Sequence, residues 1–313
     1  MAQNDLVTKF PFGLSSRGMP VIGGGGRETT GNVFFVSSTS SAKSDNVTTH
    51  GTSAVTPFAT LDYAIGACTP NNGDLIYLMP GHAETAIAAG AIDVDVAGIS
   101  IIGLGNGTNR PVFTFATSTA ADIDIDAANV LLENIKFDFT GVDALIAGID
   151  VNAADFTMVN CEVVLATSGN QALICVITDS NANRMRILNS YFHGSNNAGA
   201  TSCIYLGGSP DGCEISGNRI IGHFSDAALY HPTLALHTSL YIHHNVIQAL
   251  GSTQYGINIL ETGATGLVDS NSFLVTDVTL ALVNFNLAAI NNKGYDSDTS
   301  NTLGVDVPVV GSI

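Results

Sequence analysis

A short phrase recurs between Val130 and Leu274: Leu-Leu-Glu-Asn134, Met-Val-Asn160, Ile-Leu-Asn189, Ile-Ser-Gly-Asn218, Ile-His-His-Asn245 and Val-Asp-Ser-Asn271. The asparagines are 26, 29, 29, 27 and 26 residues apart. Self-similarity at this spacing marks an array of stacked repeats. The asparagine has a mechanical reading: a chain that bends sharply between strands needs a residue that tolerates the left-handed backbone region, and Asn does so better than most. Stacked amides can also hydrogen-bond in a ladder. The competing reading, that one of these amides binds a ligand, has no further residue to support it. The apolar residue lies two positions before the Asn in the first three repeats and three before it in the last three. That offset predicts a bend that moves by one residue midway.

Between the markers lie short β-rich runs and small polar turns, without helical period. Examples are Ile135 to Phe139, Val163 to Leu165 and Val246 to Ala249, followed in step by Ala147 to Val151, Leu173 to Ile177 and Tyr255 to Leu260. Two or three strands per repeat specify an all-β, right-handed parallel β-helix with about 26–29 residues per coil. A leucine-rich repeat has a similar period but requires a leucine ladder, which is missing.

Composition narrows the partners. Of 313 residues, 27 are Asp or Glu against 10 Lys or Arg, a net charge of −17, which disfavours nucleic acid and anionic membrane. No apolar run reaches the roughly 20 residues that span a bilayer. The first residues, Met-Ala-Gln-Asn-Asp-Leu-Val-Thr-Lys, lack the order of a secretory signal, so assembly in a host cytoplasm is expected. Five scattered cysteines without a Cys-x-x-Cys pair suggest buried free thiols.

Residues 1–30 read as an arm ending in a Gly23–Gly26 hinge. Its apolar residues Phe10, Phe12, Met19, Val21 and Ile22 are candidates for docking onto a neighbouring subunit or larger assembly; a disordered terminus is the alternative. Residues 31–72 hold a strand at Val33–Val36, a Ser/Thr-rich loop, and a short amphipathic helix in which Phe58, Leu61, Ile65 and Cys68 keep helical spacing. Such a helix would cover the open end of the solenoid. Coils are expected over 73–290, and 291–313 as a lower cap or docking segment.

The order Val-Phe-Phe-Val-Ser-Ser, polar loop, Pro-Phe-Ala-Thr-Leu-Asp-Tyr-Ala-Ile, Gly-Asp-Leu-Ile-Tyr-Leu-Met-Pro-Gly-His, over residues 33–82, resembles pectate-lyase-like β-helix proteins, and particularly a group of bacteriophage virion proteins. The resemblance implies a non-enzymatic virion protein. It would be a homotrimeric capsid decoration or small surface appendage, anchored by its arm to other virion proteins. The alternative is a tailspike-type polysaccharide lyase or hydrolase acting on host surface glycan.

Two stretches bear on chemistry. In Ala121-Asp-Ile-Asp-Ile-Asp126 a strand would turn its carboxylates outward, and Asp93, Asp95, Asp122 and Asp124 would stack in neighbouring strands. They form either a solvated face or, less readily, a calcium site, and no cofactor is otherwise expected. Arg110 and Lys136 are the local bases. Five histidines (His223, His231, His237, His243, His244) fall within 22 residues, but adjacent strand positions would send His243 and His244 to opposite faces. The Asn-Thr-Asp, Gly-His-Gly and Arg-Ile-Lys phrases of polygalacturonase-like hydrolases are absent, so no catalytic residue is expected.

Overall fold

The computed structural model describes residues 14–16, 19–21, 29–233, 236–251, 254–283, 287–296 and 305–307. The chain winds as a right-handed parallel β-helix, as the period predicts, with three sheets running its length. Sheet I has ten strands, from Val33–Val36 and Leu75–Leu78 to Gly266–Asp269 and Ala288–Ile290. Sheet II also has ten, from Ala83–Ala86 to Lys293–Asp296, closed by the antiparallel Val305–Asp306. Sheet III has eight, from Ile92–Asp93 to Leu282–Val283, so eight turns carry all three strands.

The interior is one continuous hydrophobic column, because in every strand the alternate side chains point inward and stack on their counterparts one turn away. Phe113, Phe137, Val163, Phe192, Ile220, Ile247 and Phe273 form such a file in sheet II, each 1% exposed or less. Phe113 and Phe137 stack at 6.1 Å between ring centroids. The expected helix forms at Leu61–Gly66 and buries Leu61, Ala64 and Ile65 against the first strands, where Phe58 meets Phe34. All five cysteines are buried free thiols; burial pushes Cys68 and Cys161 up to about 12.

The corner between sheets I and II resolves the asparagine phrase into two adjacent columns. Asn134, Asn160 and Asn189 are themselves the left-handed residues of the bend, with φ of 57°, 54° and 49°. In the next turns that position passes to Gly217, His244, Ser270 and Asn291, with φ of 68°, 56°, 55° and 54°. The bend therefore keeps its place two residues after the apolar one, and the asparagine moves one residue along, which corrects the expectation that the bend itself shifts. A β-carbon at Gly217 would lie 2.3 Å from Asn189 Oδ1, so this rung of the bend column excludes a side chain.

The displaced asparagines turn inward. Asn218, Asn245, Asn271 and Asn292 are at most 5% exposed and form a ladder along the helix axis. Asn245 Oδ1 accepts from the backbone N–H and the Nδ2 of Asn218, at 2.9 and 3.0 Å. Its own Nδ2 donates to Ile215 O at 2.9 Å and Asn271 Oδ1 at 3.0 Å. The pattern repeats from Asn271 to Asn292. Each amide thus ties together three turns and satisfies polar groups that the bend removes from the sheet ladder.

The corner from sheet III to sheet I has its own left-handed column: Asn71, Gly98, Asn129, Asp155, Arg184, Gly212 and Ser239. Two non-glycine members lock to each other, Arg184 Nε and Nη2 donating to Asp155 Oδ1 and Oδ2 at 2.7 Å each.

Candidate functional site

The outward-facing side chains of the three sheets are what a solenoid offers to ligands and partners, and they differ in character. On sheet III, register places Asp93 beside Asp124 and Asp124 beside Asp150. The expected acid stack is therefore real for Asp93 and Asp124 and continues to Asp150, whereas Asp95 lies beyond the strand's end. Partial burial, then repulsion from neighbouring carboxylates, raises both Asp124 and Asp150 to about 6. Asp122 is also raised by burial, although it accepts a 2.6 Å bond from the Gly90 N–H. Among the described residues no group of three or more His, Cys, Asp or Glu side chains is placed to hold a metal ion.

The bases adjoining these acids in sequence are elsewhere in space. Arg110 and Lys136 meet Glu162 on sheet II, at 3.2 and 3.4 Å, and His193 joins them at 3.3 Å. Burial alone would raise Glu162, but the His193 hydrogen bond and the Lys136 charge outweigh it and hold the carboxyl below its usual range. Acid ladder and basic cluster thus occupy different faces.

Below this cluster, sheet II changes. Its outward residues from Tyr191 downward are Tyr191 and His193, Arg219 and Ile221, Val246 and Gln248, Ser272 and Leu274, Lys293 and Tyr295. None of these ten described side chains is acidic, in a chain with 27 acids. Tyr191, Val246, Leu274 and Tyr295 are 36%, 49%, 37% and 44% exposed, and Arg219 lies over the Tyr191 ring at 5.3 Å. On sheet III at the same heights Tyr205 and Tyr230 are half-buried, 5.4 Å apart.

Sheet I carries a polar row. Arg186 Nε donates to Glu214 Oε2 at 3.1 Å, Glu214 Oε1 meets His243 Nε2 at 3.0 Å, and Ser216 Oγ lies 3.2 Å from His243 Nδ1. Tyr241 stacks on His243 at 3.8 Å, and His244 Nδ1 is 2.8 Å from His243 Nδ1. The expectation that His243 and His244 diverge is overturned: the strand ends at His243, and the left-handed turn at His244 brings its ring back. A shallow depression of about 300 Å³, lined by Asn129, Val130, Leu131, Asp155, Thr157 and Arg186, adjoins the row.

The remaining histidines do not join this row. His223 bonds to Asn196, while His231 and His237 form a fully buried pair, with 2.8 Å between His237 Nδ1 and His231 Nε2. Of the arm residues expected to dock, Phe10, Phe12 and Ile22 lie outside the described residues. Met19 and Val21 fall in a strand, Met19–Val21, paired antiparallel with Leu14–Ser16.

No family model matches the chain, and no curated protein does. Among solved structures it is similar to a rhamnogalacturonan lyase, with a TM-score of 0.63 at 13% identity over 85% of this chain and 80% of that one. It is similar to pectate lyase Pel9A, with a TM-score of 0.58 at 14% identity over 87% and 81%. A third likeness, to Geobacillus virus E2 ORF18, has a TM-score of 0.36 at 13% identity over 75% and 56%. The first two establish a likeness of architecture, and the chain therefore carries the pectate-lyase-like right-handed parallel β-helix.

Proposed function

We propose that this protein is a structural element of a bacteriophage virion, a capsid decoration or small surface appendage in which three copies stand side by side. The observation that carries this reading is the lower face of sheet II, where Tyr191, Val246, Leu274 and Tyr295 are exposed and the described outward side chains of the parallel strands include no acid. An apolar row on an otherwise acidic surface is unfavourable in water and is stabilised by burial against a partner. In a cyclic trimer the contact joins two different faces of neighbouring copies. Sheet III offers Tyr205 and Tyr230 at the heights of Tyr191 and Arg219. The virion setting rests on the sequence resemblance over residues 33–82, and the N-terminal arm is the proposed anchor to other virion proteins.

Sedimentation velocity tests the association. Wild-type protein is expected at the mass of three 32.3 kDa chains, and a Val246→Glu, Leu274→Glu double variant as a folded monomer. Monomeric wild-type protein at all concentrations would refute the reading. The second reading, a tailspike-type polysaccharide lyase or hydrolase, is favoured by the polar row and depression on sheet I. Chain cleavage of a host surface glycan, abolished by Glu214→Gln, would support it instead.

A further inference from the structure

The row on sheet I has an order that the virion reading does not use and that points to a chemistry other than glycan-chain cleavage. We propose that Ser216, His243 and Glu214 form a nucleophile–base–acid triad that hydrolyses acyl esters carried by polyhydroxylated chains such as O-acylated glycans. The inference is independent of the trimer, whose contacting surfaces lie on sheets II and III.

The backbone sets the geometry. Glu214 and Ser216 are alternate outward residues of one strand, and Tyr241 and His243 are their lateral neighbours in the next. His243 therefore sits beside Ser216 and diagonal to Glu214, so its two ring nitrogens can engage one partner each. With Nε2–H donating to Glu214 Oε1 at 3.0 Å, Nδ1 keeps its lone pair and faces the Ser216 hydroxyl at 3.2 Å. This is the arrangement that activates a serine, with the roles of the two ring nitrogens exchanged relative to the commonest triads. Tyr241, stacked on His243 within 20° of parallel, fixes the plane of the ring, and Arg186 holds Glu214 from its other oxygen. His244 competes for Nδ1 at 2.8 Å; it is exposed, so a substrate can displace it.

The substrate class follows from the surroundings. Arg186 belongs both to the triad's support and to the wall of the depression, where Asn129, Asp155 and Thr157 provide hydroxyl-binding groups. A polyhydroxylated chain lying along the helix axis would thus place a pendant ester at Ser216. Arg186 commits its Nε–H to Glu214, which leaves its terminal N–H groups to donate to a developing oxyanion.

The chemistry balances with water alone. Ser216 Oγ bonds to the acyl carbon while its proton passes to His243 Nδ1. The carbon–oxygen bond to the sugar then breaks, and the alcohol leaves with that proton. Water attacks the acyl-serine, His243 takes its proton and returns one to Ser216 Oγ, and the carboxylic acid departs.

The test uses the full-length protein, a fluorophosphonate probe and p-nitrophenyl acetate. Wild-type protein should be labelled at Ser216, S216A should not be labelled, and H243Q should hydrolyse the ester about 100-fold more slowly. Failure of the wild type to label, or equal labelling of S216A, would overturn the proposal. A second variant reads the contact without turnover. All five native thiols are buried, so S216C introduces the accessible one. Its alkylation by iodoacetamide should persist below the pH at which an ordinary thiol stops reacting, and S216C/H243Q should lose that acid limb. Identical pH profiles for the two would also sink the triad.

Discussion

Replacing Asn245 with Ala should be among the most damaging single changes on the molecule. The side chain is 1% exposed and makes four hydrogen bonds: two accepted from Asn218 and one each donated to Ile215 O and Asn271 Oδ1. At roughly 1 kcal/mol per bond the loss is about 4 kcal/mol, of which the orphaned backbone N–H of Asn218 is the costliest part. Asn160→Ala removes an equally repetitive asparagine, but an exposed one whose task is to hold φ at 54°. Alanine in that backbone region costs only about 1 kcal/mol, and glycine is tolerated there. Guanidinium unfolding followed by circular dichroism should rank the variants wild type, Asn160→Ala, then Asn245→Ala well below. Hydrogen exchange should show the Asn218 amide losing its protection in Asn245→Ala. Equal midpoints for Asn160→Ala and Asn245→Ala would refute the separation of the two columns.

Three further outcomes follow from the same geometry. Asp124, raised to about 6 against roughly 3.9 in an unfolded chain, favours the folded state in its protonated form. That contribution is complete below about pH 4 and is lost as pH rises through 6. Asp124→Asn should therefore stabilise the protein by about 1 kcal/mol at pH 8, after allowing for solvent screening, and leave it unchanged at pH 4. A gain at pH 4 as large as at pH 8 would show that burial of the charged carboxylate and repulsion from its neighbours are not the cause. Burial lowers His231 below its ordinary range, and its Nδ1–H donates to Pro232 O, which leaves Nε2 to accept from His237. Stability from neutral His231 is present above about pH 6.5 and lost on acidification. Glu261 is the acidic neighbour that opposes the shift. Amides of Phe224–His231 should exchange faster at pH 5 than at pH 7 after correction for intrinsic rates; unchanged protection would contradict the assignment. Deleting residues 1–26 should abolish attachment to particles while the β-helix stays folded, and retained attachment would remove the arm as anchor.

The fold was legible because a solenoid writes its period into the chain. The recurring Asn and the apolar residues before it fix coil length, and alternation at Ile123–Ile125 fixes which side chains face inward. The two asparagine columns were harder to see, since neighbouring positions select the same residue for different reasons: backbone tolerance at Asn160, amide bonding at Asn245. Only the shift in apolar spacing distinguished them. The sheet I row was missed because Arg186, Glu214, Ser216 and His243 are spread over three coils, and their meeting depends on lateral register. The period does contain that signal, for Arg186 and Glu214 are 28 residues apart and Ser216 and His243 are 27 apart, one coil in each case. His244 escapes strand alternation because the strand ends one residue before it. The acids and bases around Asp124 and Lys136 seemed close because sequence proximity ignores the corner that sends them to different sheets.

The sheet II association can be tested by joining neighbouring copies covalently. With every native cysteine buried, a V246C/Y230C variant carries two accessible thiols, one on each proposed contacting face about one turn apart in height. Mild oxidation should produce covalent dimers and trimers that stop at three chains and disappear when either substitution is made alone. A product that remains monomeric, or that climbs past three chains without limit, would contradict the closed side-by-side trimer.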